Sequence, residues 1–171
     1  MYLEGIETDR MKFRALVHSD ILLWERFFNN NPNLNYQGLD PSLDAKAQSI
    51  EWIEIQLKRY KENRFGHHAI IDKKTEEFIG QCGLLKQEIE GKEEIEIGYH
   101  ILPEYWGKGY ATEAALAVKN YAIKNRICKS LISVIDIRSK GSQNVASKLG
   151  MKIDKEMQMF DLDVYIYRIK I

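Results

Sequence analysis

The sequence predicts an α+β (mixed α/β) fold: a mostly antiparallel sheet of six to seven strands, with a central parallel pair and helices on both faces. Three observations point there. Residues 68–72, 77–86 and 94–102 are strand-like and are joined by short turns at 73–76 and 90–92, so they pair antiparallel. Residues 94–135 then run strand, glycine-bearing loop, helix and apolar strand, a unit whose crossover is right-handed and whose strands are parallel. Two further strand-like segments, 153–160 and 164–170, close the chain, the latter (VYIYRIK) alternating well.

Taken in order, residues 11–17 (MKFRALV) alternate apolar and basic side chains and read as the first strand. His18, Ser19 and Asp20 offer an N-cap to a short helix over 21–28. Residues 29–41 are rich in Asn, Pro and Gly and read as a loop long enough to line a site. Ser42 or Asp44 caps a second helix running to about Asn63, with Ile50, Ile53, Leu57 and Tyr60 on one stripe. The helix from Tyr110 to near Lys124 carries small or apolar Ala111, Ala114, Ala115, Val118 and Ala122 at periodic positions. Residues 130–135 (SLISVI) form an apolar strand, and a helix over 141–149 is closed by Gly150. The element order is β-α-α-β-β-β-α-β-α-β-β, with no repeat, linker or domain boundary.

Composition narrows the function. The 171 residues hold 25 Lys plus Arg and 25 Asp plus Glu, so there is no basic excess for a nucleic-acid backbone. Cys82 and Cys128 stand far apart in apolar contexts; they read as inert thiols of a reducing compartment. No Cys/His cluster has metal-ligand spacing, so no metal is expected, and His67 and His68 should point to opposite sheet faces. Glu4, Glu7, Asp9 and Arg10 interrupt any apolar leader, and no run approaches the roughly 18 apolar residues of a membrane span. The expectation is a cytoplasmic protein, monomeric or homodimeric, with no membrane or nucleic-acid partner.

The chemistry concentrates between Ile97 and Glu113 (IGYHILPEYWGKGYATE). A strand ends at Pro103, a loop carries Gly107 and Gly109, and a helix starts with Tyr110, Ala111 and Thr112. Helix N-termini present unpaired N–H groups and a partial positive charge to anions. Small residues at 107, 109 and 111 leave space for a bulky phosphate, so the segment reads as a diphosphate cradle or, more plainly, as a tight turn. It is neither of the common nucleotide loops: Gly109 follows Lys108 where a P-loop needs Ser or Thr, and Thr112 stands at the third glycine of a dinucleotide fingerprint.

Ile97-Gly98-Tyr99 with Pro103-Glu104-Tyr105-Trp106-Gly107-Lys108-Gly109-Tyr110-Ala111-Thr112-Glu113-Ala114 resembles the acetyl-CoA-binding motif of the GNAT superfamily. It is most similar to the branch containing the ribosomal-protein-alanine N-acetyltransferases (RimJ/RimL-like). Residues 142–151 (SQNVASKLGM) resemble that family's second motif helix, and residues 10–14 with Asp20 its opening. The resemblance implies one acyl-CoA N-acyltransferase domain over 1–171, with a splayed central strand pair and acetyl-CoA as co-substrate. It implies that main-chain amides from Gly107 through Thr112, with Trp106, Lys108, Gly109, Tyr110 and Ala111 in the same loop, hold the CoA diphosphate. It implies that His100, Ile101 and Leu102 pair with the pantetheine amides beside a strand opened by a β-bulge near Gly98, although Gly98 also reads as simple close packing. Three positions depart from the common family pattern: Trp106 stands where it puts Arg or Gln, as is usual in the RimL-like branch; Ser139 replaces its frequent Asn and can still hydrogen-bond the cofactor; and Ala146 replaces its frequent Tyr.

Acetyl transfer to an amine needs a base, a donor for the carbonyl oxygen and a partner for the departing thiolate. Glu94 and Glu96 share a strand face with Gly98, where partial burial would raise a carboxylate pKa. Glu96 is the favoured base, His100 the competitor, and a solvated strand start the plain alternative. Ser142 is the candidate beside the thiolate or an ordinary N-cap. A backbone N–H near Tyr99 or His100 would polarise the carbonyl. Trp24, Phe27 and Phe28 read as core that borders the 29–41 loop. The acceptor would be a protein N-terminus or a small-molecule amine. A non-catalytic acyl-CoA-binding module and a nucleotide-phosphate binder are the other readings.

Overall fold

A computed structural model of the chain describes residues 2–29, 31–37, 40, 42–159 and 161–171. Residues 30, 38, 39 and 41 of the expected loop, and Phe160 of the expected sixth strand, lie outside the described residues. The elements are β1 Met11–Arg14, α1 Asp20–Asn29, α2 Ala45–Lys61, β2 Phe65–Asp72, β3 Phe78–Ile89, β4 Lys92–Ile101, α3 Tyr110–Lys124, β5 Ser130–Asp136, α4 Lys140–Lys148, β6 Lys152–Met159 and β7 Leu162–Lys170. Short 3-10 turns sit at Leu34–Tyr36 and Pro103–Tyr105. Seven strands form one sheet in the order β1-β2-β3-β4-β5-β7-β6, antiparallel except for β4 beside β5. The α+β class and the element order read from the sequence are those observed.

Boundaries moved where side chains intervene. β1 stops at Arg14, short of the expected Val17, because the Arg14 guanidinium turns to Asp20 with two 2.7 Å bonds. Asp20 also accepts the Val17 N–H at 2.9 Å, which starts α1. The Asp44 carboxylate accepts the Ala47 N–H at 2.8 Å and caps α2. Ile53 of the expected stripe is buried and Leu57 and Tyr60 pack half-buried on the same core, but Ile50 is 40% exposed, and Gln48, Ser49 and Gln56 are buried instead. Polar anchors set that rotation: Ser49 Oγ donates to the Ile21 carbonyl at 2.7 Å, and Gln56 Oε1 accepts the His67 N–H at 2.8 Å. The second bond, with the Tyr60 hydroxyl donating to the His67 carbonyl, extends β2 back to Phe65.

The sheet separates two apolar layers. Trp24, Phe27 and Phe28 of α1 pack with Ile53 on one face, the Trp24 and Phe27 rings stacked at 4.4 Å. On the other, Ala114, Ala115, Val118 and Ala122 bring α3 close to the sheet, beside Ile97, Ile101 and Leu131. His67 and His68 diverge as expected: His67 stacks on Trp52, while His68 meets Tyr2.

The parallel pair governs the centre of the sheet. β4 and β5 are in register only at Glu96↔Ile132. Behind that point Arg168 of β7 reaches across β5 to both carboxylate oxygens of Glu94 at 2.9 Å and donates to Asp154 at 2.9 Å. This clamp holds one end of the pair together while the other diverges. The bulge expected near Gly98 is absent: the β3–β4 register runs unbroken from Ile89↔Lys92 to Gly80↔Ile101. Gly98 is needed for close packing instead, since a Cβ there would collide with the His67 imidazole.

Candidate active site

The β4/β5 divergence begins with side chains in place of a main-chain ladder. Ser133 Oγ donates to the Ile97 carbonyl at 2.9 Å, and the Val134 N–H donates to Glu96 Oε1 at 3.3 Å. Past these bonds a cavity of about 400 Å³ runs between the strands. One end opens at the N-terminus of α3 and the first turn of α4; the other reaches α1 and the 31–37 segment.

The loop between β4 and α3 is open to that cavity. Gly107 and Gly109 have φ of 73° and 82°, the left-handed region that glycine adopts without strain. A Cβ at Gly107 would project into open space, so no side chain plugs the turn. Gly109 caps α3, leaving the N–H groups of Tyr110, Ala111 and Thr112 ahead of the first intrahelical bond, Glu113 N–H to Gly109 O at 3.1 Å. Arg10 braces the loop from outside. It donates to the Lys108 carbonyl at 2.9 Å and to Glu113 at 2.7 Å, and lies 4.3 Å from the centre of the Tyr110 ring. These groups fit a diphosphate: exposed amides, no obstructing side chain and a helix start aimed at the space.

Of the residues singled out from the sequence, Glu96, His100, Ile101, Trp106, Gly107, Gly109, Tyr110, Ala111, Thr112, Ser139 and Ser142 line this one cavity. Leu102 and Lys108 do not. The Leu102 N–H is bonded to the Ile79 carbonyl at 3.0 Å, and its side chain is buried against the α1 layer. Lys108 turns outward, with Nζ 5.2 Å from the centre of the Tyr105 ring. By the alternation of antiparallel pairs, His100 turns its main chain to β3 as Leu102 does, while Tyr99 and Ile101 face the gap. The main-chain edge that faces the gap is therefore that of Tyr99 and Ile101, not that of His100 and Leu102. The Ile101 carbonyl already accepts the Trp106 indole N–H at 2.7 Å, a bond that folds the loop back onto β4.

Glu96 is 8% exposed and faces the α1 side of the sheet. Burial raises its pKa, against the opposing effects of Gln87 Nε2, which donates at 2.7 Å, the Val134 N–H and nearby Arg59. His100 sits on the same face, its ring 4.8 Å from Trp52, 5.1 Å from His67 and 5.9 Å from Phe27. Burial lowers its pKa to about 4. Ser142 lies inside α4, so the N-cap reading passes to Ser139, whose hydroxyl donates to Ser142 Oγ at 3.0 Å. The Tyr99 hydroxyl donates to the Ser142 carbonyl at 2.7 Å and ties β4 to that turn.

Sequence reasoning missed Ser133, Gln87 and Arg138. Arg138 is held by Asp136 at 2.6 Å and lies 4.5 Å from the centre of the Tyr36 ring, so it pins the 31–37 segment over the cavity. The Asn- and Pro-rich composition of 29–41 signalled a site-lining loop, but no local pattern signalled its anchor on the β5–α4 connection.

The fold, with its open loop and divided strand pair, is that of known acetyltransferases. The chain belongs to the GNAT acetyltransferase family, whose domain matches residues 10–152, and is an N-acetyltransferase of that family. The uncharacterized protein YkkB of Bacillus subtilis is 33% identical over 164 residues, 95% of this chain and 94% of its own. An acetyltransferase from Agrobacterium tumefaciens superposes with a TM-score of 0.81 at 23% identity, over 99% of this chain and 95% of its own. The fold is shared with Mycobacterium smegmatis RimJ in complex with CoA-disulfide (TM-score 0.76, 16% identity, 94% and 81% covered). It is shared too with the Vibrio cholerae spermidine N-acetyltransferase in complex with CoA and spermine (TM-score 0.73, 18% identity, 95% and 96% covered). Among the described residues, no helix is long and apolar enough to cross a membrane, and no group of three or more His, Cys, Asp or Glu is placed to hold a metal.

Proposed function

We propose that the chain moves an acetyl group from acetyl-CoA to a primary amine, a protein N-terminal or small-molecule amine, by direct attack in a ternary complex. The observation that carries this reading is the single-pair β4/β5 register, which opens a through-cavity from the glycine loop to the space under α1. Acetyl-CoA supplies an acyl group activated as a thioester. The amides of Tyr110, Ala111 and Thr112 would hold its diphosphate, and the main-chain groups of Tyr99 with the Ile101 N–H, whose carbonyl is taken by Trp106, its arm. Two neighbours of the same fold, named for CoA complexes, support CoA as the carrier.

Glu96 takes the proton of the acceptor ammonium, directly or through water. Its raised pKa makes it a stronger base than an exposed carboxylate, whereas His100 at about 4 binds a proton too weakly to compete near neutrality. The Tyr99 N–H faces the gap and polarises the carbonyl. Ser142, whose oxygen already receives the Ser139 proton, directs its own O–H toward the departing sulfur.

Thiol release from acetyl-CoA, followed over a panel of peptides and small amines, tests the reading. Amine-dependent release is expected. Tight acetyl-CoA binding without release on any amine would replace it with a non-catalytic acyl-CoA module.

A further inference from the structure

The acceptor end of the cavity is walled by Phe27, Asn31, Asn33, Tyr36, His100 and Tyr105. Its walls are aromatic rings, side-chain amides and one imidazole. Among the described lining residues of the whole cavity, the carboxylates are Glu96 and Asp136, and the one cation is Lys148 on α4. Asp136 is spent on Arg138, which it meets at 2.6 and 2.9 Å. The flanking cation Arg26 is likewise paired with Glu104. Glu96 is therefore the one lining carboxylate without a cationic partner in contact, and it stands at the strand divergence where the proton must be taken.

We propose that the acceptor is a monoamine: one primary ammonium joined to an uncharged aromatic or apolar body, either a free small molecule or the first residue of a peptide. This rests on the acetyl-transfer reading above. A single ammonium entering the chamber meets Glu96, and its body meets the rings of Phe27, Tyr36 and Tyr105. A second ammonium would leave water with no unpaired lining carboxylate to receive it, since Asp136 is already held by Arg138. Burying an unpaired charge is among the largest penalties a site can impose. His100 adds no positive charge near neutrality, so it does not repel the single cation.

The experiment compares four acceptors at fixed acetyl-CoA: 2-phenylethylamine, a peptide beginning with Phe, the same peptide beginning with Lys, and spermidine. Turnover and calorimetric binding are both read. The expected kcat/KM for a singly charged acceptor exceeds that for spermidine and the Lys peptide by roughly 100-fold. Preference for the free amine or for the Phe peptide identifies the source, and either supports the inference. Equal or better use of spermidine or the Lys peptide would overturn it while leaving acetyl transfer intact. Bound acetyl-CoA with no turnover on any amine would overturn both. Asn33→Asp, and separately Gln37→Glu, place a carboxylate on the wall and should raise spermidine turnover about tenfold. An unchanged rate in both folded variants would refute the charge argument.

Discussion

The Glu96 carboxylate accepts the main-chain N–H of Val134 at 3.3 Å across the gap between β4 and β5. One side chain therefore satisfies the first amide of the diverging strand, and in the proposed reaction the same side chain would take the acceptor amine's proton. Glu96→Gln keeps an acceptor oxygen for that amide and removes the base. kcat should fall about 100-fold near neutral pH, with the deficit shrinking at high pH as the amine deprotonates itself. A pH–rate profile of wild type and variant checks this; an unchanged rate would remove Glu96 from the mechanism.

The same substitution has a separate stability signature. Burial raises the Glu96 pKa above the ordinary 4.5, so the folded chain holds a proton that the unfolded chain releases. Stability from this group is fully present below the ordinary value and is lost as pH rises through the raised one. Glu96→Gln should melt above wild type at about pH 8 and converge with it toward about pH 4. Thermal melts at both pH values decide it.

Gly98→Ala would drive a Cβ into the fully buried His67 ring and should cost about 1–3 kcal/mol. In the double variant with His67→Ala, the Gly98→Ala step should cost clearly less, because the obstructing ring is gone. A double-mutant cycle by denaturant titration measures the coupling, and simple additivity would mean that the two residues do not compete for the space.

Arg10 touches the glycine loop only from outside, through the Lys108 carbonyl, Glu113 and the Tyr110 ring. Arg10→Ala should raise the KM for acetyl-CoA roughly three- to tenfold with little change in kcat, the loss of one charge-assisted anchor. A fall in kcat at unchanged KM would place Arg10 elsewhere in the account.

How far the sequence carried these conclusions depended on whether a signal was local. Strand alternation and tight turns in 68–102, the crossover unit and the Gly107–Gly109 loop are local, and each was legible. The faces of β4 were legible too, because a period of two leaves one choice: Glu94, Glu96 and Gly98 share a side. What was not legible came from distant partners. The end of β1 depends on Arg14 finding Asp20, and the roll of α2 depends on Gln56 finding the His67 N–H across the sheet. Gly98 signalled an irregularity, but only the His67 ring decides that it is close packing rather than a bulge. Leu102 fell away from the site because a main-chain direction follows from pairing, which residue type does not encode.

The most direct test is a crystal structure with bound CoA. Diphosphate oxygens within hydrogen-bond reach of the main-chain amides between Gly107 and Thr112, with the pantetheine arm paired to Tyr99 and Ile101, are the expected result. An arm lying outside the β4/β5 gap, or strands 96–101 and 132–136 joined by a continuous ladder with the nucleotide elsewhere, would contradict it.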